Sequence, residues 1–110
     1  MCVEQSIIES SVEMTNVKLT DELYFSSVEF KNNVKLDRCQ GGNLRILSSK
    51  FHAQFDIRDS NFHLFITKDL EFLEEFKLIE SNISTLLQLN DCTFKKTFVI
   101  SNLVQDGNKS

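Results

Sequence analysis

The side chains able to do chemistry are few, and they are poorly grouped. His52 and His63 could form a metal-binding pair or an acid–base couple. No carboxylate or cysteine accompanies both at a matching place, so a solvated surface role is expected for each. Cys2, Cys39 and Cys92 are odd in number and show no C-x-x-C spacing, which suggests neither a disulfide framework nor a zinc site. A nucleophilic cysteine needs exposure and a neighbouring base. Cys39 and Cys92 fall instead at small, inward places of the pattern described below, and Cys2 is an outward terminal thiol. Paired carboxylates are the remaining option. A glycosidase needs an acid of raised pKa facing a second carboxylate inside a groove, whereas Glu74 and Glu75 lie together at a corner and no long insertion builds a cleft. No catalytic residue, metal site or cofactor is therefore expected, and the chain reads as a protein other than an enzyme.

Four carboxylates stand out by spacing: Asp59, Asp69, Glu80 and Asp91 recur every ten or eleven residues. Two readings attach to them. As turn residues they would accept hydrogen bonds from corner amides. As a surface they would form two short acidic stripes imitating phosphates, with Lys68, Lys77, Lys95 and Lys96 interrupting the field.

The elements that carry these residues follow from an internal repeat. Residues 55–62 (FDIRDSNF), 76–83 (FKLIESNI) and 87–94 (LQLNDCTF) share apolar or small residues at their first, third, sixth and eighth places. Extended both ways, the register gives first places at Met1, Val12, Leu23, Val34, Leu44, Phe55, Phe65, Phe76, Leu87 and Phe98. Among the first, third and eighth places, only Thr67, Gly41 and Gln105 break the apolar rows. Places one and three, like six and eight, are two apart, which means extended backbone with both side chains on one face. The three-residue step between them is a corner. The fold class expected is all-β, a right-handed parallel β-helix (β-solenoid) over residues 1–104. It has two repeats per coil, about five coils of roughly 21–22 residues, and a rise of about 25 Å. Residues 105–110 form a polar C-terminal tail. Residues 72–89 also admit an amphipathic-helix reading, but their apolar places keep the register that holds before and after them.

Composition agrees with turns of an unusual kind. There are ten phenylalanines, three glycines, and neither proline nor tryptophan, whereas tight hairpins want turn formers every few residues. The net charge is −4 and the pI about 5.1, which argues against direct binding of nucleic acid. No apolar run approaches the length of a membrane span, and acidic residues stand where a secretory signal would be basic. A cytoplasmic protein is expected, in keeping with the cysteine usage.

Ser60-Asn61-Phe62 and Cys92-Thr93-Phe94, with Ser49-Lys50-Phe51 and Ser81-Asn82-Ile83, resemble the central triplet of the pentapeptide-repeat proteins, a small, a polar and a large apolar residue. The resemblance covers residues 1 to about 104. It implies a right-handed quadrilateral β-helix with small and large inward residues stacked in ladders. The first places depart from the family by being large. Several members of that family are acidic rods that resemble duplex DNA and inhibit or protect DNA enzymes such as gyrase. The resemblance thus implies an acidic DNA mimic acting on a gyrase-like enzyme or a nuclease.

A second surface is suggested by apolar residues at outward places, Ile66, Leu73, Ile79, Leu86, Val99 and Val104, with fewer in the N-terminal half (Ile7, Tyr24, Leu47). Clustered outward apolar residues mark interfaces. The last coil is itself apolar, and solenoids normally cover their ends. The leading expectation is a protein-binding inhibitor or scaffold that presents a rigid solenoid face to another protein. The same surfaces could instead join a homodimer through a terminal coil.

Overall fold

The computed structural model describes residues 2–101 and 104–105. Its strands are β1 (Cys2–Ile8), β2 (Val12–Thr15), β3 (Glu22–Phe30), β4 (Val34–Asp37), β5 (Asn43–Leu47), β6 (Lys50–Phe51), β7 (Phe55–Arg58), β8 (Asn61–Phe72), β9 (Phe76–Ile79), β10 (Asn82–Phe94), β11 (Phe98–Ser101) and β12 (Val104–Gln105). All pairing is parallel and joins rungs 21 or 22 residues apart, as in Leu23 with Leu44 and Val12 with Val34. The protein is a β-solenoid of about five coils, and no described residue is helical, 72–89 included.

Each coil has four sides. The first carries places one to three of the odd repeats, the second places six to eight. The third and fourth carry the same places of the even repeats. Sides one, two and four are joined in one sheet of order β1-β3-β5-β8-β10-β12, with β6 beside β3 and β8. Side three is a separate sheet of order β11-β9-β7-β4-β2. The solenoid measures 34 × 28 × 20 Å.

The corner between places three and six has a fixed conformation. Among the described residues, nine other than glycine have positive φ: Gln5, Asn16, Ser27, Arg38, Ser48, Asp59, Asp69, Glu80 and Asp91. They are the fifth places of nine consecutive repeats. A left-handed residue reverses the chain in one step, which is why the solenoid turns without proline. Asn and Asp tolerate this region better than most side chains. The polar groups around the corner are matched from inside. In the even repeats the fifth-place amide donates to the next coil, as Asp59 does to the Ile79 carbonyl at 3.1 Å. The buried Ser60 hydroxyl donates to the Arg58 carbonyl at 2.8 Å and accepts from the Cys39 amide at 3.2 Å. Ser49 and Ser81 repeat the arrangement. This replaces the expected capping by Asp and Glu: among the described residues, the carboxylates of Asp59, Asp69, Glu80 and Asp91 make no hydrogen bond or ion pair.

The core is a set of stacked rows. Phe30, Phe51, Phe72 and Phe94 form one aromatic ladder, with centroids 4.7, 4.8 and 5.0 Å apart and rings within 7° of parallel. Phe55, Phe76 and Phe98 climb beside it, touching it at 4.8, 5.0 and 4.3 Å. Ring stacking adds about 0.5–1.5 kcal/mol per pair beyond the burial itself. Thr67, the polar exception in the third-place row, is buried and donates its hydroxyl to the Gln88 carbonyl at 3.2 Å.

Repeats vary between ten and eleven residues at the corner leading to side one. There residues 19–21 of one rung face only Gly41 and Gly42 of the next, between the pairs Lys18–Gln40 and Glu22–Asn43. Both glycines have positive φ, and a Cβ on them would lie 2.8 Å from the Leu19 oxygen and 2.3 Å from the Asp21 oxygen. The residue is regained two coils later, where Ser84 and Thr85 bulge against His63.

Candidate functional site

The expected chemical groups are placed apart. Cys39 is buried, and burial pushes its thiol pKa up; Cys92 is half-buried and Cys2 exposed, and all three thiols are free. His52 contacts the Glu29 carboxylate through Nε2 at 2.5 Å, and Lys31 lies 3.3 Å from the same oxygen. The His52 hydrogen bond, with smaller contributions from Lys31, holds the Glu29 carboxyl below its ordinary range. His63 instead meets the Ser84 hydroxyl at 2.9 Å, on a different corner. Among the described residues, no three His, Cys, Asp or Glu side chains gather as a metal site would require. No helix there is long and apolar enough to cross a membrane.

Outward charges on two sides alternate in sign from rung to rung. On side three the row runs Glu13, Lys35, Asp56, Lys77, with ion pairs from Arg58 to Asp56 at 3.2 Å and Lys77 to Glu75 at 3.7 Å. On side two it runs Glu29, Lys50, Glu71, with Lys50 3.8 Å from Glu71. Opposite charges in neighbouring rungs are mildly stabilising. The fifth-place corners break this rule. Pairing of Arg58 with Ile79 puts Asp59 one rung from Glu80, and pairing of Lys68 with Asn90 puts Asp69 one rung from Asp91. Asp69 and Asp91 border a shallow groove of about 290 Å3, together with Ser48, Lys50, Glu71 and Thr93. The two pairs stand on different corners, so the four acids form two separate stripes.

The outward apolar candidates also divide. Ile66 and Leu86 lie on side one; Ile79 and Val99 lie on side three, beside Lys77. Leu73 follows β8 at the corner between sides two and three. Val104 is in β12 on side four, and its side chain falls outside the described residues.

Side one gathers more than the sequence suggests. Leu64 pairs with Leu86 in the rung above, and Ile66 follows Leu64 at strand spacing on the same face. Arg45 pairs with Ile66 and Tyr24, and Leu47 stands two residues on from Arg45. Tyr24, Leu47, Leu64, Ile66 and Leu86 thus share one outward face across four successive rungs, all half-buried. The Arg45 guanidinium lies 5.7 Å over the Tyr24 ring and its Nε 3.4 Å from Glu22, which closes one border of the patch with an amphipathic pair. Tyr and Arg beside apolar neighbours on a sheet suit a protein contact.

No protein-family model matches the chain, and no curated protein or solved structure matches it.

Proposed function

We propose that the chain is a non-enzymatic protein-binding module, an inhibitor or scaffold that engages another protein through side one of the solenoid. One observation carries this reading: the five apolar residues named above share a side whose shape is fixed by parallel strands, while sides two and three carry self-compensating charge rows. Burying such a face is favourable at about 25 cal/mol per Å2 before association costs are deducted. A pre-formed sheet also loses little conformational entropy on binding. The free thiols and the lack of a long apolar helix among the described residues are in keeping with a cytoplasmic setting. The four-sided coil with inward ladders supports kinship with pentapeptide-repeat proteins.

A second reading is favoured by a different observation. Asp59/Glu80 and Asp69/Asp91 are like-charged neighbours pointing outward, in a molecule whose other charge rows alternate. Such stripes would suit an acidic DNA mimic directed at a DNA-handling enzyme. Affinity capture from host lysate separates the two. Ile66→Glu should abolish capture on the first reading and leave it intact on the second; Asp59→Asn with Asp91→Asn should do the reverse. Capture unaffected by either variant would refute both.

A further inference from the structure

The two ends of the solenoid are complementary in three independent respects. The first is the backbone. At every corner after side two, the ninth-place amide donates to the eighth-place carbonyl of the previous coil: Lys31 to Ile8, His52 to Phe30, Leu73 to Phe51 and Lys95 to Phe72, each at 2.9 Å. At the start of side three the amide points the other way, Val12 to the Asn33 carbonyl, Phe55 to Glu75 and Phe76 to Thr97. By the same rule the Phe94 carbonyl and the Phe98 amide point out of the C-terminal end. The Glu9 amide and the Ser11 carbonyl point out of the N-terminal end, where they would meet those groups in register.

The second respect is the apolar rows. Phe98 and Ile100 belong to inward rows, yet each is 40% exposed, with no rung of the described residues stacked over it. At the other end Val12 and Met14 occupy the same two rows and are half-buried. The third is charge. Residues 2–22 hold five carboxylates against one lysine, a net of −4, whereas residues 87–101 hold Lys95 and Lys96 against Asp91, a net of +1. Lys95 and Glu9 are ninth-place residues, so one would lie a rung from the other, as the register sets Glu9 one rung from Lys31 within the chain.

We infer that the C-terminal coil is a docking surface for the N-terminal coil of a second copy of this chain, stacked head-to-tail so that both sheets continue across the junction. Head-to-head contact would set −4 against −4. Tail-to-tail contact about a two-fold axis would turn the joining strands antiparallel and leave the Glu9 complement unused. A head-to-tail contact does not close on itself, so it yields a graded series of assemblies rather than one dimer. These surfaces are distinct from side one, and Ile66→Glu should leave the assembly untouched. Failure here and failure of the side-one reading are therefore separable.

Sedimentation velocity of the 110-residue chain should show species that grow with concentration. Glu9→Lys, or Lys95→Glu with Lys96→Glu, should each weaken the association about tenfold or more by juxtaposing like charges. Mixing the two variants should restore association as an alternating assembly, through the parental Glu9–Lys95 junction and its charge-swapped counterpart. Polarity is read by disulfide trapping in a Cys2→Ser, Cys92→Ser background, with circular dichroism confirming the fold of each variant. Glu9→Cys mixed with Lys95→Cys should cross-link, and neither alone should. A monomer at all concentrations, self-linking of Lys95→Cys, or no link in the mixture would each overturn the proposal.

Discussion

The Ser60 hydroxyl donates to the Arg58 carbonyl at 2.8 Å, bridging the left-handed Asp59 from inside the solenoid. The same hydroxyl accepts from the Cys39 amide one coil away. A buried polar group left without its partner costs about 1–3 kcal/mol. Ser60→Ala should therefore destabilise the fold by about that amount in urea unfolding, although it removes a single oxygen. A loss below about 0.3 kcal/mol would mean that this corner does not depend on the hydroxyl.

The corner backbone gives a second expectation. Asp59 has φ 50°, and a left-handed residue other than glycine is strained by about 1–2 kcal/mol. Asp59→Gly should hold or raise stability, whereas Asp59→Val should lower it, because a β-branched side chain fits this region poorly. Gly42→Ala should be worse than either, since its Cβ would lie 2.3 Å from a backbone oxygen. Thermal melts of the three variants order them; an Asp59→Val protein as stable as Asp59→Gly would refute the strain argument.

Much of this architecture is legible in the sequence, because a period of two inside a period of ten or eleven fixes which residues face inward. The corner conformation is less so. Asn16, Asp59, Asp69 and Asp91 are types that tolerate positive φ, but Arg38 and Glu80 hold the same place without any such propensity. The pattern is imposed by the coil and not by local preference. The patch on side one needs still more. Outwardness follows from register, but which outward residues meet depends on counting sides. That count separates Ile66 and Leu86 from Ile79 and Val99. Leu64 is easily missed because it sits in a corner of a ten-residue repeat. Its one signal is that it immediately precedes Phe65, as Leu86 precedes Leu87.

The aromatic ladder should dominate the energetics. Phe72 is 1% exposed, with parallel rings at 4.8 and 5.0 Å on its two sides. Phe72→Ala should cost about 3–5 kcal/mol from lost burial and the cavity left behind. Glu71→Ala, outward and paired only with half-exposed Lys50, should cost about 0.5 kcal/mol or less. Chemical denaturation checks the pair, and equal losses would contradict the assigned faces.

Acid sensitivity should have an identifiable contributor. Glu29 has a carboxyl pKa lowered in the folded protein, chiefly by its hydrogen bond to His52. A lowered folded-state pKa gives stability that is complete above the unfolded value, 4.5, and is lost as pH falls through the folded value. Glu29→Gln should therefore be less stable than the parent at neutral pH, and the difference should shrink as the pH falls below 4.5 and through the lowered folded-state value. Unfolding titrations at several pH values read this directly; a difference that widens in acid would reverse the assignment.

Site-specific photo-cross-linking in host lysate reads whether side one receives a protein partner. A photoreactive residue at position 66 should trap one discrete partner, identified by mass spectrometry. The same residue at position 56, on the charge-compensated side three, should trap none. Adducts from position 56 or position 59 with none from position 66 would place the partner on another surface than side one.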